Sequence, residues 1–284
     1  MAAVRYGGAE HGAGAPGVSD PETFRVYAVK YAEKDGRRSE HFLGGDPHDG
    51  PMPMDYFVWA VVGPAGTWVV DTGFTEEDSR QRQRRLVRSV PDALATVGVD
   101  AATVTDVVLT HLHYDHVGGW AHFPAARFHL QEKEMAYATG RHMGRPVVSA
   151  AFTPGHVAAL VHQVFAQRVV FHDGDVTLAP GLSLHLLGGH TAGTQVVRVR
   201  TAGGWLVLAS DASHYYENME TGRPFPIVHD VGDMLDGYDR LVALASERSA
   251  IVPGHDPLVL ARYPAAGPGL DGIAVRLDEG RVDA

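Results

Sequence analysis

Apolar and polar positions along the first half of the chain form strand-like runs separated by turn signals. Residues 57–62 and 67–70 lie on either side of the turn Gly-Pro-Ala-Gly at residues 63–66, and this arrangement predicts a β-hairpin. Residues 76–97 follow a helical pattern, and the apolar run at residues 106–110 predicts a buried strand. The first half is therefore expected to fold as a hairpin, a helix and a further strand.

The second half of the chain repeats this order. Residues 195–200 and 205–209 flank the turn Thr-Ala-Gly-Gly at residues 201–204, which predicts a second hairpin. A helical pattern over residues 233–247 and an apolar strand at residues 250–252 follow. Because hairpins and helices are common units, the repeat by itself is only a weak indication of two related halves.

Four potential metal ligands lie within six residues directly after the strand predicted at residues 106–110. They are His111, His113, Asp115 and His116, in the string His-Leu-His-Tyr-Asp-His. A strand delivers its last residue to a fixed point at the sheet edge, and a short loop can then turn several side chains toward one point. Imidazole and carboxylate are the ligands that zinc and similar metals prefer when no thiolate is available. The motif therefore predicts a metal site rather than a solvated His-rich turn.

Further candidate ligands also follow predicted strands. His190, Asp211 and His255 each lie just past a strand end, in the strings Gly-Gly-His, Ser-Asp and Pro-Gly-His. The neighbouring glycines let the backbone approach other segments closely. Strand ends from distant parts of a sequence can meet along one edge of a sheet, so we expect these side chains to complete the site.

These motifs, in this order, resemble those of the metallo-β-lactamase superfamily over residues 71–255. Asp71, in Val-Asp-Thr-Gly at the end of an earlier strand, matches the first motif of that superfamily. The resemblance implies an α/β fold, an αββα sandwich of two mixed sheets with helices on the outer faces. It also implies that Asp71 orients a ligand rather than binding metal itself.

The resemblance further implies a site for two metals, with one bridging carboxylate between two groups of three ligands. The first group would consist of His111, His113 and His190. The second group would consist of Asp115, His116 and His255, and Asp211 would be the bridge. Two Zn²⁺ ions per chain are expected, with Mn, Fe or Co as alternatives.

Composition agrees with one catalytic domain. The chain has 284 residues, 45% of them hydrophobic, and no cysteine, which excludes disulfides and thiolate ligands. Residues 1–22 are Gly/Ala-rich without the apolar core of a signal peptide, so we expect an N-terminal leader of a cytoplasmic protein, followed by a single catalytic domain over residues 23–284. No apolar stretch is long enough to span a membrane. A net charge of −10 argues against nucleic acid as a partner.

Other histidines are expected to be surface residues or satisfied core residues. The string Thr-Pro-Gly-His ending at His156 resembles a ligand turn, but it opens a helix-like run at residues 157–165, so we expect no ligand there. The turn at residues 172–175 lacks the spaced oxygens and the closing Glu of a calcium loop. Histidines of this kind include His122, His129, His142, His162, His172, His185 and His229.

Several branches of the superfamily do not fit this sequence. The zinc β-lactamases with a cysteine ligand are excluded because the chain has no cysteine, and the other dinuclear β-lactamases lack a bridging aspartate such as Asp211. Flavodiiron oxidoreductases carry Glu at the position of His113. Glyoxalase II-type thioesterases append a helical substrate domain, for which too few residues follow His255.

The branch that fits best is that of the quorum-quenching N-acyl-homoserine lactonases and related small-lactone hydrolases. Residues 211–220 resemble the segment after their bridging aspartate. Those enzymes usually have a tyrosine three residues after that aspartate, where it polarises the lactone carbonyl, but this chain has His214. We expect His214 to donate a hydrogen bond to the developing oxyanion without reaching the metals, with Tyr215 or Tyr216 as alternative donors. Pyridoxolactone-type and other aromatic lactones stay open as substrates.

The reaction implied is the opening of a small lactone by a hydroxide that bridges the two metals. Asp115 is both a ligand and a candidate proton shuttle, and no nucleophile motif such as Gly-x-Ser-x-Gly occurs. Residues 54–57 and 141–165, with Phe225, are candidate pocket or dimer-contact regions, and the resemblance allows a homodimer. A hydrolase of other esters, thioesters or phosphodiesters, a mononuclear iron dioxygenase and a metal-binding non-enzyme stay open.

Overall fold

The structure, a computed structural model, describes residues 23–282; the predicted leader at residues 1–22 lies outside the described residues. The strands in chain order are β1 Arg25–Lys34, β2 Met54–Gly63, β3 Gly66–Val70, β4 Arg85–Leu86, β5 Asp106–Val108, β6 Arg127–Gln131, β7 Val169–His172, β8 Val176–Ala179, β9 Leu182–Leu186, β10 Gln195–Thr201, β11 Gly204–Ser210, β12 Ile251–Pro253 and β13 Ala274–Arg276. The helices are α1 Glu76–Arg82, α2 Val90–Ala95, α3 Tyr114–Val117, α4 Glu132–Ala138, α5 Pro146–Ser149, α6 Pro154–Phe165, α7 Tyr216–Thr221, α8 Val231–Leu244 and α9 Leu258–Arg262.

These strands form two mixed sheets. The first has the order β13-β1-β2-β3-β5-β6-β7, with β4 also paired to β1, and the second has the order β12-β11-β10-β9-β8. The pairs β3–β5, β5–β6, β6–β7 and β11–β12 are parallel, and the other pairs are antiparallel. The parallel pairs matter for function because their carboxyl ends meet at one edge.

Consecutive residues of the strands point into different apolar layers. In β11, Val207 packs on the side of α8, whereas Leu208 packs between the two sheets. In β5, Val108 faces the second sheet and Val107 faces the layer that includes α2. This alternation is the period-two signature of a strand buried on both faces. The three apolar layers give a helix–sheet–sheet–helix stack, so the predicted αββα sandwich is confirmed.

The structure also confirms the repeated order of the two halves. Hairpin β2–β3 is followed by β5 parallel to β3, and hairpin β10–β11 is followed by β12 parallel to β11. Both hairpins end in a residue in the left-handed region, Asp71 with φ 60° and Ser210 with φ 44°. Such backbone is unfavourable for residues other than glycine and concentrates at functional sites.

The continuous helix predicted over residues 76–97 is wrong. Helix α1 ends at Arg82, because the C-cap residue Gln83 adopts the left-handed conformation with φ 54°. The chain then adds the short strand β4 to the edge of β1 before α2 begins at Val90, with Ser89 capping it and Pro91 in its first turn. Tertiary pairing with β1 therefore outweighs the helical pattern between the two helices.

None of the helices within residues 23–282 is long and apolar enough to cross a membrane. The predicted helix at residues 233–247 is confirmed as α8, and the run at residues 157–165 is confirmed as the body of α6. The prediction of a single catalytic domain over residues 23–284 stays a prediction.

Candidate metal centre

The structure brings the seven predicted ligands together at the edge where the parallel strands end. His111 and His113 follow β5, and the short helix α3 carries Asp115 and His116. The three others come from the loop after β9 and from the ends of β11 and β12. All seven are buried, and the complete set is His111, His113, Asp115, His116, His190, Asp211 and His255.

Three ring nitrogens form the first group of predicted ligands. The Nε2 atom of His190 lies 3.1 Å from Nε2 of His111 and 2.9 Å from Nδ1 of His113. These three residues could share one metal ion, since their ligand atoms all lie within 4.8 Å of one another. This is the composition predicted for the first metal.

The second group lies beside the first. Oδ2 of Asp115 is 3.8 Å from Nε2 of both His116 and His255. Their ligand atoms also lie within 4.8 Å of one another. Two imidazoles and one carboxylate therefore converge as the motif predicts.

Asp211 lies between the two groups, and each of its oxygens faces one of them. Oδ1 is 3.0 Å from Nε2 of His255 and 3.4 Å from Nε2 of His116. Oδ2 is 3.4 Å from Nε2 of His190 and 3.9 Å from Nε2 of His111. This is the position that a bridging carboxylate requires.

Hydrogen bonds behind three of the rings fix which nitrogen presents a lone pair to the centre. Nδ1 of His190 lies 2.6 Å from the carbonyl oxygen of Ile227, and Nδ1 of His255 lies 2.9 Å from that of Asp55. Because a carbonyl oxygen only accepts, each Nδ1 must donate, and the neutral ring keeps its lone pair on Nε2. His116 is held in the same way, because its Nδ1 lies 2.8 Å from Oδ2 of Asp71. Outer partners of this kind orient metal-binding histidines.

Burial determines the charge state of the first group. Burial lowers the pKa of His111 and His113 well below the usual value and that of His190 to about 4, and neighbouring imidazoles add to the effect in each case. These rings are therefore neutral at pH 7, and the neutral imidazole is the form that binds metals.

The second group has the opposite electrostatics. Burial disfavours the charged form of His116, but Asp211 and Asp71 raise its pKa well above the usual value. Asp211 likewise outweighs the burial of His255 and raises its pKa. The carboxylates of Asp211 and Asp71 thus favour positive charge at the second group, and a bound cation would also supply such charge.

The residues fit divalent transition metals. Nε2 of His116 and Oδ1 of Asp211 are both buried, and neither makes a hydrogen bond within the described part of the chain. Buried polar atoms normally have a partner, so their lack of one here is consistent with a role as ligands. Nitrogen and carboxylate donors without thiolate suit zinc, manganese, iron and cobalt. The set is a candidate metal centre, and the ligand assignments stay predictions.

Asp71 supports the centre from behind, as expected. Its Oδ1 accepts a hydrogen bond from the backbone N–H of Thr110 at 2.8 Å, and its carboxylate also accepts from the hydroxyls of Thr110 and Ser210. The hydroxyl of Thr110 also lies 3.2 Å from Nδ1 of His111. Asp71 thereby links the strand before the first motif to the strand before Asp211.

Glu134 is a positioning residue that the sequence did not reveal. It is fully buried at the start of α4, and its carboxylate accepts from the backbone N–H of Leu112 at 2.9 Å, the hydroxyl of Thr191 at 2.6 Å and the N–H of Gly193 at 3.1 Å. It therefore joins the first ligand loop to the loop of His190. A Cβ at Gly193 would lie 2.3–2.5 Å from Glu134, so this approach requires glycine. A glutamate in the first turn of a helix is usually solvated, and the local pattern gave no other signal.

We expect Glu134→Gln to lower both stability and metal affinity. Two acceptor oxygens serve three donors here, and the amide replaces one oxygen by an NH₂ group that faces a donor. Leaving a buried donor unsatisfied typically costs about 1–3 kcal/mol. Thermal unfolding of Glu134→Gln should show a lower Tm. Glu132→Gln, which changes an exposed residue of the same helix, should leave the Tm unchanged. An unchanged Tm in Glu134→Gln would contradict the joining role.

His214 lies within hydrogen-bond distance of one predicted ligand. Its Nε2 is 2.9 Å from Oδ2 of Asp211, and the expectation that its ring does not reach the metals stays a prediction. Its ring stacks on Phe225 with centroids 3.4 Å apart and planes 6° apart, which fixes its orientation. The alternative donors point elsewhere. The hydroxyl of Tyr215 donates to the carbonyl of Pro53, and Tyr216 packs under the guanidinium of Arg262.

A cavity of about 100 Å³ opens directly above the cluster. Met54, Tyr56, Ala151 and Phe225 line it, so the predicted pocket regions contribute as expected. Its lining also includes Asp115, Asp211 and His214.

Two other polar arrangements do not belong to the site. His156 is in α6, where its Nε2 lies 3.0 Å from both oxygens of Asp78, and it does not join the ligand cluster. Ser183, His185 and Asp175 are linked in the order of a nucleophilic triad, at 3.0 Å and 2.7 Å. However, Ser183 lies in a strand that is paired on both sides, so its neighbouring amides serve the sheet and are not free to stabilise an oxyanion.

Comparison with known proteins agrees with the motifs. The sequence profile of the metallo-beta-lactamase superfamily matches residues 52–262. The N-acyl homoserine lactonase AiiB of Agrobacterium fabrum is 31% identical over 183 residues, which are 59% of this chain and 62% of AiiB. The N-acyl homoserine lactonase AttM of the same organism is 26% identical over 248 residues, 78% of this chain and 89% of AttM. The match to AiiB thus spans less than two thirds of that protein.

Solved structures with a similar fold include proteins of the same kind. A crystal structure of a quorum-quenching N-acyl homoserine lactone lactonase superposes with a TM-score of 0.69 at 23% identity, covering 83% of this chain and 94% of that one. At this identity the likeness concerns the fold alone.

Proposed function

Because the chain belongs to the metallo-beta-lactamase superfamily, we propose that it is a metal-dependent hydrolase that opens the ring of a small lactone. The observation that carries this proposal is the position of Asp211 between two groups of ligands, where it also lines the cavity. The relatives named as N-acyl homoserine lactonases support the substrate class.

Hydrolysis of a lactone adds the oxygen of water to the acyl carbon and breaks the bond between that carbon and the ring oxygen. When bound, two divalent metals would supply Lewis acidity and lower the pKa of a water molecule toward neutrality. The candidate ligands would hold one ion through His111, His113 and His190. Asp115, His116 and His255 would hold the other, with Asp211 shared between the two.

Side chains of the protein would stabilise the negative charge that develops during the reaction and would transfer a proton to the leaving group. His214 lines the cavity beside Asp211, and its Nε2–H, which lies 2.9 Å from Oδ2 of Asp211, would be shared with the oxygen that gains negative charge. Asp115 also lines the cavity and would pass a proton to the leaving alkoxide oxygen, which completes the ring-opened hydroxy acid. No covalent nucleophile is needed.

We expect purified protein to hold about two transition-metal ions per chain, zinc above the others. Metal analysis of the dialysed protein measures this directly. It also separates a dinuclear hydrolase from a mononuclear iron dioxygenase, because a firm stoichiometry of one iron would contradict the proposal.

A substrate panel tests the reaction type. Lactones, glutathione thioesters, phosphodiesters and β-lactams are compared at equal concentration, with acid release followed in a pH-stat. We expect ring opening of lactones and almost no activity on β-lactams. Thioester cleavage much faster than that of any lactone would favour the second candidate, another hydrolase on the same site. The cytoplasmic location and the homodimer stay predictions.

A further inference from the structure

One wall of the cavity carries a positive charge without a carboxylate partner among residues 23–282. Arg84 lines the cavity and is half-buried there. Its Nε donates to the hydroxyl of Tyr114 at 3.1 Å and its Nη1 to the carbonyl of Arg82 at 2.6 Å. Both partners are uncharged, and Nη2 is left without a hydrogen bond in the described part of the chain.

The charges next to Arg84 are already neutralised. Arg85 forms an ion pair with Glu33. Lys34, which also lines the cavity, forms one with Glu40, with Nζ and Oε2 3.0 Å apart. Arg84 is therefore the lining cation that forms no ion pair in the described part of the chain, although the carboxylate of Asp115, which also lines the cavity, acts on its charge.

Other lining residues have a different character. Phe225, Pro226 and Ile227 also line the cavity, as do several of the candidate ligands. A substrate that fills the cavity thus meets apolar side chains as well as a guanidinium. A guanidinium presents several N–H donors in a plane that match a carboxylate better than any neutral group.

We propose that Arg84 binds a carboxylate on the substrate, so that the preferred substrates are lactones carrying an anionic group rather than uncharged lactones. This inference rests on the proposed function, since it names the substrate class of the same site. It assigns Arg84 to specificity and not to bond breaking.

The negative charge of the whole chain does not oppose this inference. The net charge of −10 is spread over the protein, and salt at physiological ionic strength screens exposed charges beyond about 8 Å. The charge that a bound substrate experiences is set by the groups that touch it. For the wall described here that group is Arg84.

A matched pair of substrates tests the inference. One is γ-butyrolactone with a carboxylate on the ring carbon beside the ring oxygen, and the other is its primary amide, which has nearly the same size and no charge. For each lactone, kcat/KM of the Arg84→Gln variant is divided by that of the wild type, so that intrinsic reactivity cancels. We expect a loss of about 10- to 100-fold for the carboxylate and a change within about twofold for the amide.

Two further variants separate charge recognition from structural damage. Arg85→Gln removes the same charge from the next residue, which does not line this cavity, and should leave both lactones unaffected. Arg84→Lys keeps the charge and should restore part of the carboxylate activity. Equal losses on both lactones in Arg84→Gln would make Arg84 a support for Tyr114 and would overturn the inference.

A binding measurement keeps this test separate from the test of the proposed function. Calorimetry with the ring-opened hydroxy dicarboxylate should show binding that weakens in Arg84→Gln and persists in Arg85→Gln. Such binding without hydrolysis of either lactone would overturn the lactonase proposal and support the carboxylate site. Hydrolysis of both lactones without any effect of Arg84→Gln would overturn only the carboxylate site.

Discussion

Replacing Asp211 with asparagine is expected to reduce metal content at both positions of the centre together and to abolish most activity. The oxygens of Asp211 face opposite groups of ligands, with Oδ1 3.0 Å from His255 and Oδ2 3.4 Å from His190. The amide removes the negative charge that both groups share. Changes to outer partners of metal ligands already cost about 10–100-fold in metal affinity or activity, and the loss of a shared ligand should exceed this. Metal analysis and competition with a chelator measure the effect.

The comparison that isolates the bridging role is with His190→Ala. That variant removes a ligand of the first group alone, so we expect it to empty mainly one position and to leave about one ion per chain. Asp239→Asn on the exposed face of α8 removes the same charge from a residue outside the candidate ligand set and should keep both ions. If Asp211→Asn lost only one ion, as in His190→Ala, Asp211 would belong to a single metal.

His214→Ala is expected to lose about 10²–10³-fold in kcat while its metal content and fold remain. The ring of His214 lines the cavity beside Asp211, and its stacking on Phe225 holds it in place. A donor to an oxyanion acts more strongly in the transition state than in the ground state, so the loss should appear in kcat more than in KM. We expect His214→Tyr to recover part of the activity.

Tyr215→Phe is the matched control for this variant. The hydroxyl of Tyr215 donates to the carbonyl of Pro53, so its removal should leave kcat nearly unchanged. Near-normal turnover of His214→Ala would exclude His214 from the reaction. Loss of metal in His214→Ala would instead make it a ligand, which its 2.9 Å distance to Asp211 gives reason to measure.

Much of the candidate site could be predicted because its residues occur in short motifs next to strands. The string from His111 to His116 follows β5 directly, and Asp211 and His255 follow β11 and β12. A strand is straight and its end has one place in the sheet, so local sequence is enough to locate each ligand at the edge. The two hairpins could be predicted for a similar reason, because alternating apolar residues and glycine-rich turns act over a few residues.

The contacts that act between distant segments could not be predicted in this way. The helical pattern at residues 76–97 gave no sign that residues 85–86 pair with β1, because that pairing depends on a strand about fifty residues earlier. Glu134 resembles a solvated residue of a first helical turn until α4 is packed against the loop of His190. In both cases the stabilising partner is remote in sequence.

The sequence by itself therefore determined the identity of the candidate ligands and, through the family resemblance that their motifs carry, the fold class, since ligand motifs are local properties of the chain. Only the tertiary structure decided how the centre is held and what surrounds it. The direction of the His214 ring depends on Phe225, and the unpaired charge of Arg84 depends on which carboxylates pack nearby. Side-chain direction and charge pairing are set by neighbours in space, and the local pattern of residues does not record which neighbours folding will bring.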